Sequence, residues 1–481
     1  MAIAFTKGNV KVKQFKNVNL SQYSYVVECD NEMAVIDPAR DVKQYLDFAA
    51  AEHAKIKWVI LTHLHSDFVS GFHDLAVQAH AKVVYGPEAH PGFECRIAQN
   101  NEKLPLGNHH LRASHTPGHT LESTSWVLED HSNHSLCVFT GDTLFIGGVG
   151  RPDMAQNGTH NVKELSRMLY KSLKTLKTLS DDCVLFPGHG AGASCAPNAK
   201  SGDRSTIGEQ LEINPLYAVD NESDFVENLA DYNPPVPMCA AYIVSINKSG
   251  QAKAIEDVVE NGFQPLVPDQ FKTHVEEPTS IILDCRKGAD YAKGHIKGSI
   301  SCQLDKKFEA WAPYFIDIKH GEKIYLVVDA GREREAISRL AKVGLDNVYG
   351  FLEGGIESWT HSGNAVQKSK LLTFNNHHEF QGQVNDATVF DVRNPDEWET
   401  GTFKDAKLLP ISKLREYGQA TEDKNKKIIV HCRGGGRSLM AVSVLERLGF
   451  TNVTNVPGGL EMMKSKGVEV GPKSQEVVTS I

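Results

Sequence analysis

The run Leu61-Thr62-His63-Leu64-His65-Ser66-Asp67-Phe68 follows an apolar stretch at 56–61 and places two histidines at i and i+2 and an aspartate at i+4. On a loop leaving a strand edge, that spacing aims imidazole nitrogens and a carboxylate at one spot, donors that suit zinc or non-haem iron. A second chemical site lies far downstream, in Val430-His431-Cys432-Arg433-Gly434-Gly435-Gly436-Arg437-Ser438. Here a cysteine ends an apolar run, and a glycine-rich loop leads into a helical stretch at 439–448. Loop N–H groups and a helix N-terminus stabilise an anion, and Arg433 and Arg437 add positive charge. Both favour a nucleophilic thiolate at Cys432.

The elements that must position these residues read as alternating strands and helices. Segments 23–29 and 33–38 predict a hairpin about Asp30-Asn31, with helices at 42–52 and 75–79 and a strand at 82–86. Strand-like runs at 109–117, 123–129, 135–140 and 184–187 follow. They deliver Thr116-Pro117-Gly118-His119-Thr120, then Thr140-Gly141-Asp142-Thr143-Leu144, then Pro187-Gly188-His189-Gly190. Each such turn is weak evidence alone. Four strand ends in series, each near a histidine or aspartate, describe a site built along a sheet edge.

The order T-H-x-H-x-D, P-G-H-T, T-G-D, P-G-H resembles the metallo-β-lactamase superfamily, which implies a four-layered αβ/βα sandwich over residues 1–245. Gly147-Gly148-Val149-Gly150-Arg151-Pro152-Asp153 and the tail at 225–237 resemble the persulfide dioxygenases within it. Dinuclear hydrolases of the superfamily place a second-metal histidine directly after the motif aspartate. Here that position is Phe68, so one metal ion per chain is expected and no second one.

The resemblance implies His63, His119 and Asp142 as ligands of Fe(II), an arrangement that leaves positions open for dioxygen. His65, Asp67 and His189 would then orient ligands or water, although His65 as a fourth ligand stays open. A soft, anionic persulfide sulfur would receive two oxygen atoms, and water would release sulfite and the thiol. Arg151 would neutralise the organic part of the substrate or a ligand carboxylate. Cys195, six residues past His189, is read either as a buried inert thiol or as a redox or persulfide-carrying one.

A polar connector at 246–262 precedes a pattern that occurs twice, at 263–367 and 368–481. Ile281-Ile282-Leu283-Asp284-Cys285-Arg286 answers to Thr388-Val389-Phe390-Asp391-Val392-Arg393, and 349–359 answers to 454–463. Strands alternating with helices imply two small parallel-sheet α/β domains. The Cys432 loop, with Phe390-Asp391-Val392-Arg393-Asn394-Pro395-Asp396-Glu397-Trp398 before it, resembles the rhodanese family. That implies a persulfide-carrying sulfurtransferase nucleophile at Cys432, with Gly434, Gly435 and Gly436 cradling substrate. Four residues between Cys432 and Arg437 make a loop suited to sulfur rather than the wider phosphatase loop. Thr402 stands where the family often has histidine. The middle repeat ends its strand in Asp329 instead of cysteine, which implies an inactive copy serving as spacer, docking surface or dimer contact. Cys285 and Cys302 read as core.

The 481 residues suggest two to four domains, and 41% apolar with 23% charged residues is ordinary for soluble globular protein. The net charge of −9 argues against nucleic-acid or anionic-membrane partners. No apolar run reaches bilayer length. The first eight residues lack both a signal-peptide core and an Arg-rich presequence. Nine scattered cysteines fit reduced thiols, so a cytoplasmic protein is expected.

The combined expectation is a bifunctional enzyme. It would oxidise a low-molecular-weight thiol persulfide (glutathione, coenzyme A or similar) with O2 to sulfite and exchange sulfur with thiosulfate through Cys432. Either direction of sulfur flow, and homo-oligomers, are compatible with the residues. The rival readings are a zinc-dependent thioester hydrolase of glyoxalase II type with an appended rhodanese, and a persulfide-sensing scaffold.

Overall fold

The computed structural model describes residues 3–155, 159–193, 196, 199–230, 236, 239–318, 321–472 and 478. Cys195, and residues 231–235 and 237 of the tail at 225–237, lie outside the described residues. The chain divides into two compact units, Met1–Pro234 with Ala240–Ile255 and Lys342–Gly344, and the remainder. Among the described residues, no helix is long and apolar enough to cross a membrane.

The first unit is built on two sheets. One has seven strands in chain order from Phe5–Lys7 to Arg96–Ile97. The other has six, ordered Ser205–Thr206, Val184–Pro187, Ser135–Gly141, Thr124–Glu129, His109–His115 and Lys103–Leu106. Their inner faces share one core, in which Val27, Ile36, Trp58 and Ile60 pack with Leu111, Trp126, Phe139 and Phe186. Helices Lys43–Ala51 and Phe72–Ala79 cover the first sheet through Tyr45, Phe72 and Leu75. Helix Val162–Leu176 covers the second through Leu169, Leu173 and Leu176, whose spacing of four and three keeps one face apolar. Asn161 and Glu164 close its N-terminus as a capping box. These are four layers, αβ/βα, as the resemblance implies. Asp30 and Asn31 both take positive φ (51° and 61°) in the turn of the Gln22–Cys29/Glu32–Ile36 hairpin, a geometry that Asx residues tolerate.

The stretch read as a connector is largely helical, as Ala240–Ser249 and Ile255–Gly262. Its polar composition reflects exposed helix faces and one buried amide, Asn247, rather than irregular chain.

The second unit contains both repeats. The first has five parallel strands ordered Pro265–Leu266, Val348–Leu352, Lys323–Val327, Ser280–Asp284 and Ile300–Ser301. The second has four, ordered Ala406–Leu408, Thr388–Asp391, Ile428–His431 and Val453–Asn455. Each repeat carries the same buried brace. Arg286 grips Asp284 and the Gly294 carbonyl, and Arg393 grips Asp391 and the Gly401 carbonyl.

The repeats also meet through partly buried polar groups. Arg447 donates to the carbonyls of Gly298 (3.1 Å) and Ser280 (2.6 Å). Beside it, a Glu446 carboxylate oxygen lies 3.8 Å from His295 Nε2. His295 Nδ1 lies 2.9 Å from the Tyr291 carbonyl, so Nδ1 carries the proton and Nε2 offers only a lone pair. Burial pushes His295 down to about 4 and Glu446 up to about 7. Burial therefore favours the neutral, protonated carboxyl beside the neutral imidazole.

Because the folded carboxyl titrates above its ordinary value of 4.5, its favourable contribution is complete below that pH. It is lost as pH climbs toward 7. Glu446→Gln keeps a donor without the charge. It should melt with the parent at acidic pH and be more stable by about 1–3 kcal/mol above neutrality. Melting curves from pH 4.5 to 8 check this, and coincident curves at the alkaline end would refute it.

Candidate metal centre and thiol site

Strand Lys55–Ile60 runs parallel to both of its neighbours, and its apolar end leads into the loop bearing His63. Asp37 governs the start of that loop. It sits at φ 48°, accepts from Thr62 N (2.8 Å) and from Thr62 Oγ1 (2.7 Å). Since the Thr62 hydroxyl spends its proton on Asp37, its lone pair faces His63 Nδ1 at 3.0 Å. The His63 proton is thereby held on Nδ1 and Nε2 is left open. His119 is set the same way, with Nδ1 2.8 Å from the Arg151 carbonyl. Its turn needs Gly118, at φ 143°, where a Cβ would come 2.4 Å from Leu169 Cβ.

His63 Nε2 and His119 Nε2 lie 3.9 and 3.6 Å from Asp142 Oδ2. Ligand atoms of these three buried residues fall within 4.8 Å of one another. The donor set fits a divalent ion. Burial pushes His63 well below its ordinary value, aided by His65, which keeps the imidazole neutral as a ligand must be. Burial alone would raise the Asp142 carboxyl, but His189, His63 and His119 outweigh it and hold the group well below the carboxylate range.

The other motif residues face each other. His189 sends Nδ1 to Asp142 Oδ1 (2.7 Å) and Nε2 to Asp67 Oδ2 (2.8 Å). His65 Nε2 lies 3.0 Å from Asp37 Oδ1, and its ring lies against Phe68 with centroids 4.4 Å apart. Burial opposes protonation of His65, but Asp37 outweighs it and raises the group. Arg151 is 2% exposed and ion-paired with Asp153, and its carbonyl oxygen holds His119 Nδ1.

Asn247 is a residue that sequence reasoning missed. Its amide donates to the carbonyls of His65 and Phe68 (2.9 Å each) and accepts from Ser70 N (3.0 Å). A polar residue on the buried side of a short helix is the signal that could have found it. Asn247→Leu should orphan three buried backbone groups, each costing about 1–3 kcal/mol. We expect a lower Tm and metal affinity reduced about 10–100-fold, read by thermal melts and metal titration.

At the second site, Cys432 directly follows strand Ile428–His431, and helix Gly436–Arg447 starts four residues later. Gly435 N donates to Cys432 Sγ at 3.1 Å, and Ser438 Oγ lies 3.5 Å from it. Gly435, at φ 89°, passes so close to Gly458 that a Cβ would meet its nitrogen at 2.6 Å. Both arginines are paired. Arg437 is held by Glu397 (2.7 Å), a residue the motif reading did not single out, and exposed Arg433 by Glu461 (2.8 Å). Cys285 and Cys302 are buried, and burial raises both thiols. In the middle repeat, Val327 pairs with Asp284 as His431 pairs with Asp391, so buried Val328 stands at the place of Cys432 and Asp329, which the sequence pattern put there, falls one residue later.

Residues 18–189 match the metallo-beta-lactamase superfamily, and residues 267–362 and 376–466 match the rhodanese-like domain. The cytoplasmic hydroxyacylglutathione hydrolase of Arabidopsis thaliana is 31% identical over 41% of this chain and 84% of its own. A hydroxyacylglutathione hydrolase of Actinobacillus pleuropneumoniae is 28% identical over 35% of this chain, which spans 65% of that relative's length. A crystal structure of a metallo-beta-lactamase from Staphylococcus aureus subsp. aureus COL superposes with a TM-score of 0.62 at 28% identity. It covers 72% of this chain and 99% of its own.

The fold and the strand-end His-His-Asp group define a metallo-beta-lactamase scaffold with a candidate metal centre. The chain belongs to the metallo-beta-lactamase superfamily, and it carries two rhodanese-like domains after that domain.

Proposed function

We propose that the chain is a persulfide dioxygenase and sulfurtransferase, oxidising a low-molecular-weight thiol persulfide to sulfite and exchanging sulfane sulfur with thiosulfate through Cys432. The observation that carries this reading is the three-donor group His63, His119 and Asp142, with Phe68 against His65 where a second-metal ligand would stand. Iron(II) held there would supply redox chemistry toward dioxygen and positions for a sulfur anion. The chain fixes both imidazole tautomers through Thr62 and the Arg151 carbonyl, and His189 steadies the carboxylate from behind. Cys432, facing an N–H at a helix start, supports a persulfide carrier. Thiosulfate would charge it as the thiolate attacks the outer sulfur, forming the Cys432 S–S bond and releasing sulfite.

A second reading, a zinc thioester hydrolase, is favoured by the names of the Arabidopsis and Actinobacillus relatives. Metal analysis of protein produced without added zinc, with oxygen uptake on glutathione persulfide, separates the two. Iron with uptake is expected. Zinc, hydroxyacylglutathione hydrolysis and no uptake would replace this proposal with the second.

A further inference from the structure

We propose that the cysteine-less repeat forms the far wall of the Cys432 site and selects an acidic organic thiol as the sulfur acceptor, with Lys306 receiving its carboxylate or phosphate. The inference rests on Cys432 being the sulfur carrier. A cleft of about 360 Å³ has Cys432, Arg437 and Met440 on one side and Lys306, Phe308 and Trp311 of the other repeat facing them. The two sides are in register, since the Arg437 guanidinium stands over the Trp311 ring at 5.7 Å.

Size argues first. The cleft holds the volume of about a dozen waters, far more than the five heavy atoms of thiosulfate require. It falls within the roughly 300–1,000 Å³ typical of organic-ligand pockets.

Charge argues second. Glu397 and Glu461 engage the two arginines of the loop. Lys306 has no ion-pair partner among the described residues, so its ammonium supplies uncompensated positive charge at the cleft. Phe308, Trp311 and Met440 give the apolar surface that the carbon chain of a thiol would cover.

The lysine is also presented on a braced segment. Lys306 N donates to the Gln303 carbonyl (3.1 Å), while Arg339 donates to the Lys306 and Leu304 carbonyls (3.2 and 2.6 Å). Arg339 itself is locked to buried Glu309 by two contacts of 2.7 Å. A repeat without chemistry of its own thus keeps a rigid, cationic face toward the active cysteine. In the step served, the acceptor thiolate attacks the outer sulfur of the Cys432 persulfide. A new S–S bond forms on the acceptor, the Cys432 S–S bond breaks, and the Cys432 thiolate leaves with no external oxidant.

The test charges the full-length protein with thiosulfate and follows transfer to glutathione, coenzyme A, neutral 2-mercaptoethanol and cationic cysteamine. In Lys306→Glu, the kcat/KM ratio of glutathione to 2-mercaptoethanol should fall at least tenfold, mainly through KM, while the ratio for cysteamine rises. Coenzyme A falling with glutathione assigns recognition to anionic groups in general, and glutathione falling alone assigns it to carboxylates. Unchanged ratios, or an equal fall for all four thiols, would overturn the inference. Failure of the parent protein to form a Cys432 persulfide would instead remove the sulfurtransferase reading beneath it.

Discussion

His119→Ala should abolish oxygen uptake with glutathione persulfide while leaving sulfur transfer through Cys432 in place. His119 supplies one of three ligand atoms, so its loss leaves two donors where three converge. Altering groups behind a metal ligand typically costs 10–100-fold in affinity; removing a ligand itself should exceed that. We expect iron below about a tenth of the parent content and an uptake rate reduced by about a thousandfold or more. Metal analysis and an oxygen electrode provide the readout. A variant that keeps both iron and uptake would remove His119 from the centre.

Cys432→Ser should do the reverse. The Gly435 N–H is aimed at Sγ from 3.1 Å, and a serine hydroxyl at that point can accept it but cannot carry sulfane sulfur. Thiosulfate-dependent sulfur transfer should drop by at least about a thousandfold. Oxygen uptake should continue, and persulfide supplied with sulfite should accumulate sulfite without thiosulfate. Sulfur transfer that survives the substitution would leave the sensing-scaffold reading in its place, because no turnover would depend on that thiol.

The sheet edges were legible because the site-bearing strands are short runs closed by turn residues, with glycine at 118, 141 and 188, and the structure starts and ends those strands within a residue or two of the sequence pattern. Which of the clustered histidines turn toward one point was not legible from spacing. His63 and His65 are equivalent in a T-H-x-H string, and Asp37 separates them. It fixes Thr62 behind His63 and takes His65 for itself, from a position 25 residues away in sequence for Thr62. The choice of His63, His119 and Asp142 as ligands came from resemblance. Asn247 and Glu397 escaped for a related reason. A polar residue at a helix face reads as solvated until the loop it reaches is in place. In the repeats, by contrast, the recurring Asp-x-Arg was visible as a string, and its shared role as a brace to a glycine carbonyl emerges only in three dimensions.

The amide of Asn247 has a consequence for how this gene can be divided. A chain severed after residue 245 would leave the carbonyls of His65 and Phe68 without the donor they share. Any ancestral fission or laboratory dissection that yields a working metal-bearing fragment must therefore leave the Ala240–Ser249 helix with it, placing the usable seam later than the hydropathy of the sequence suggests.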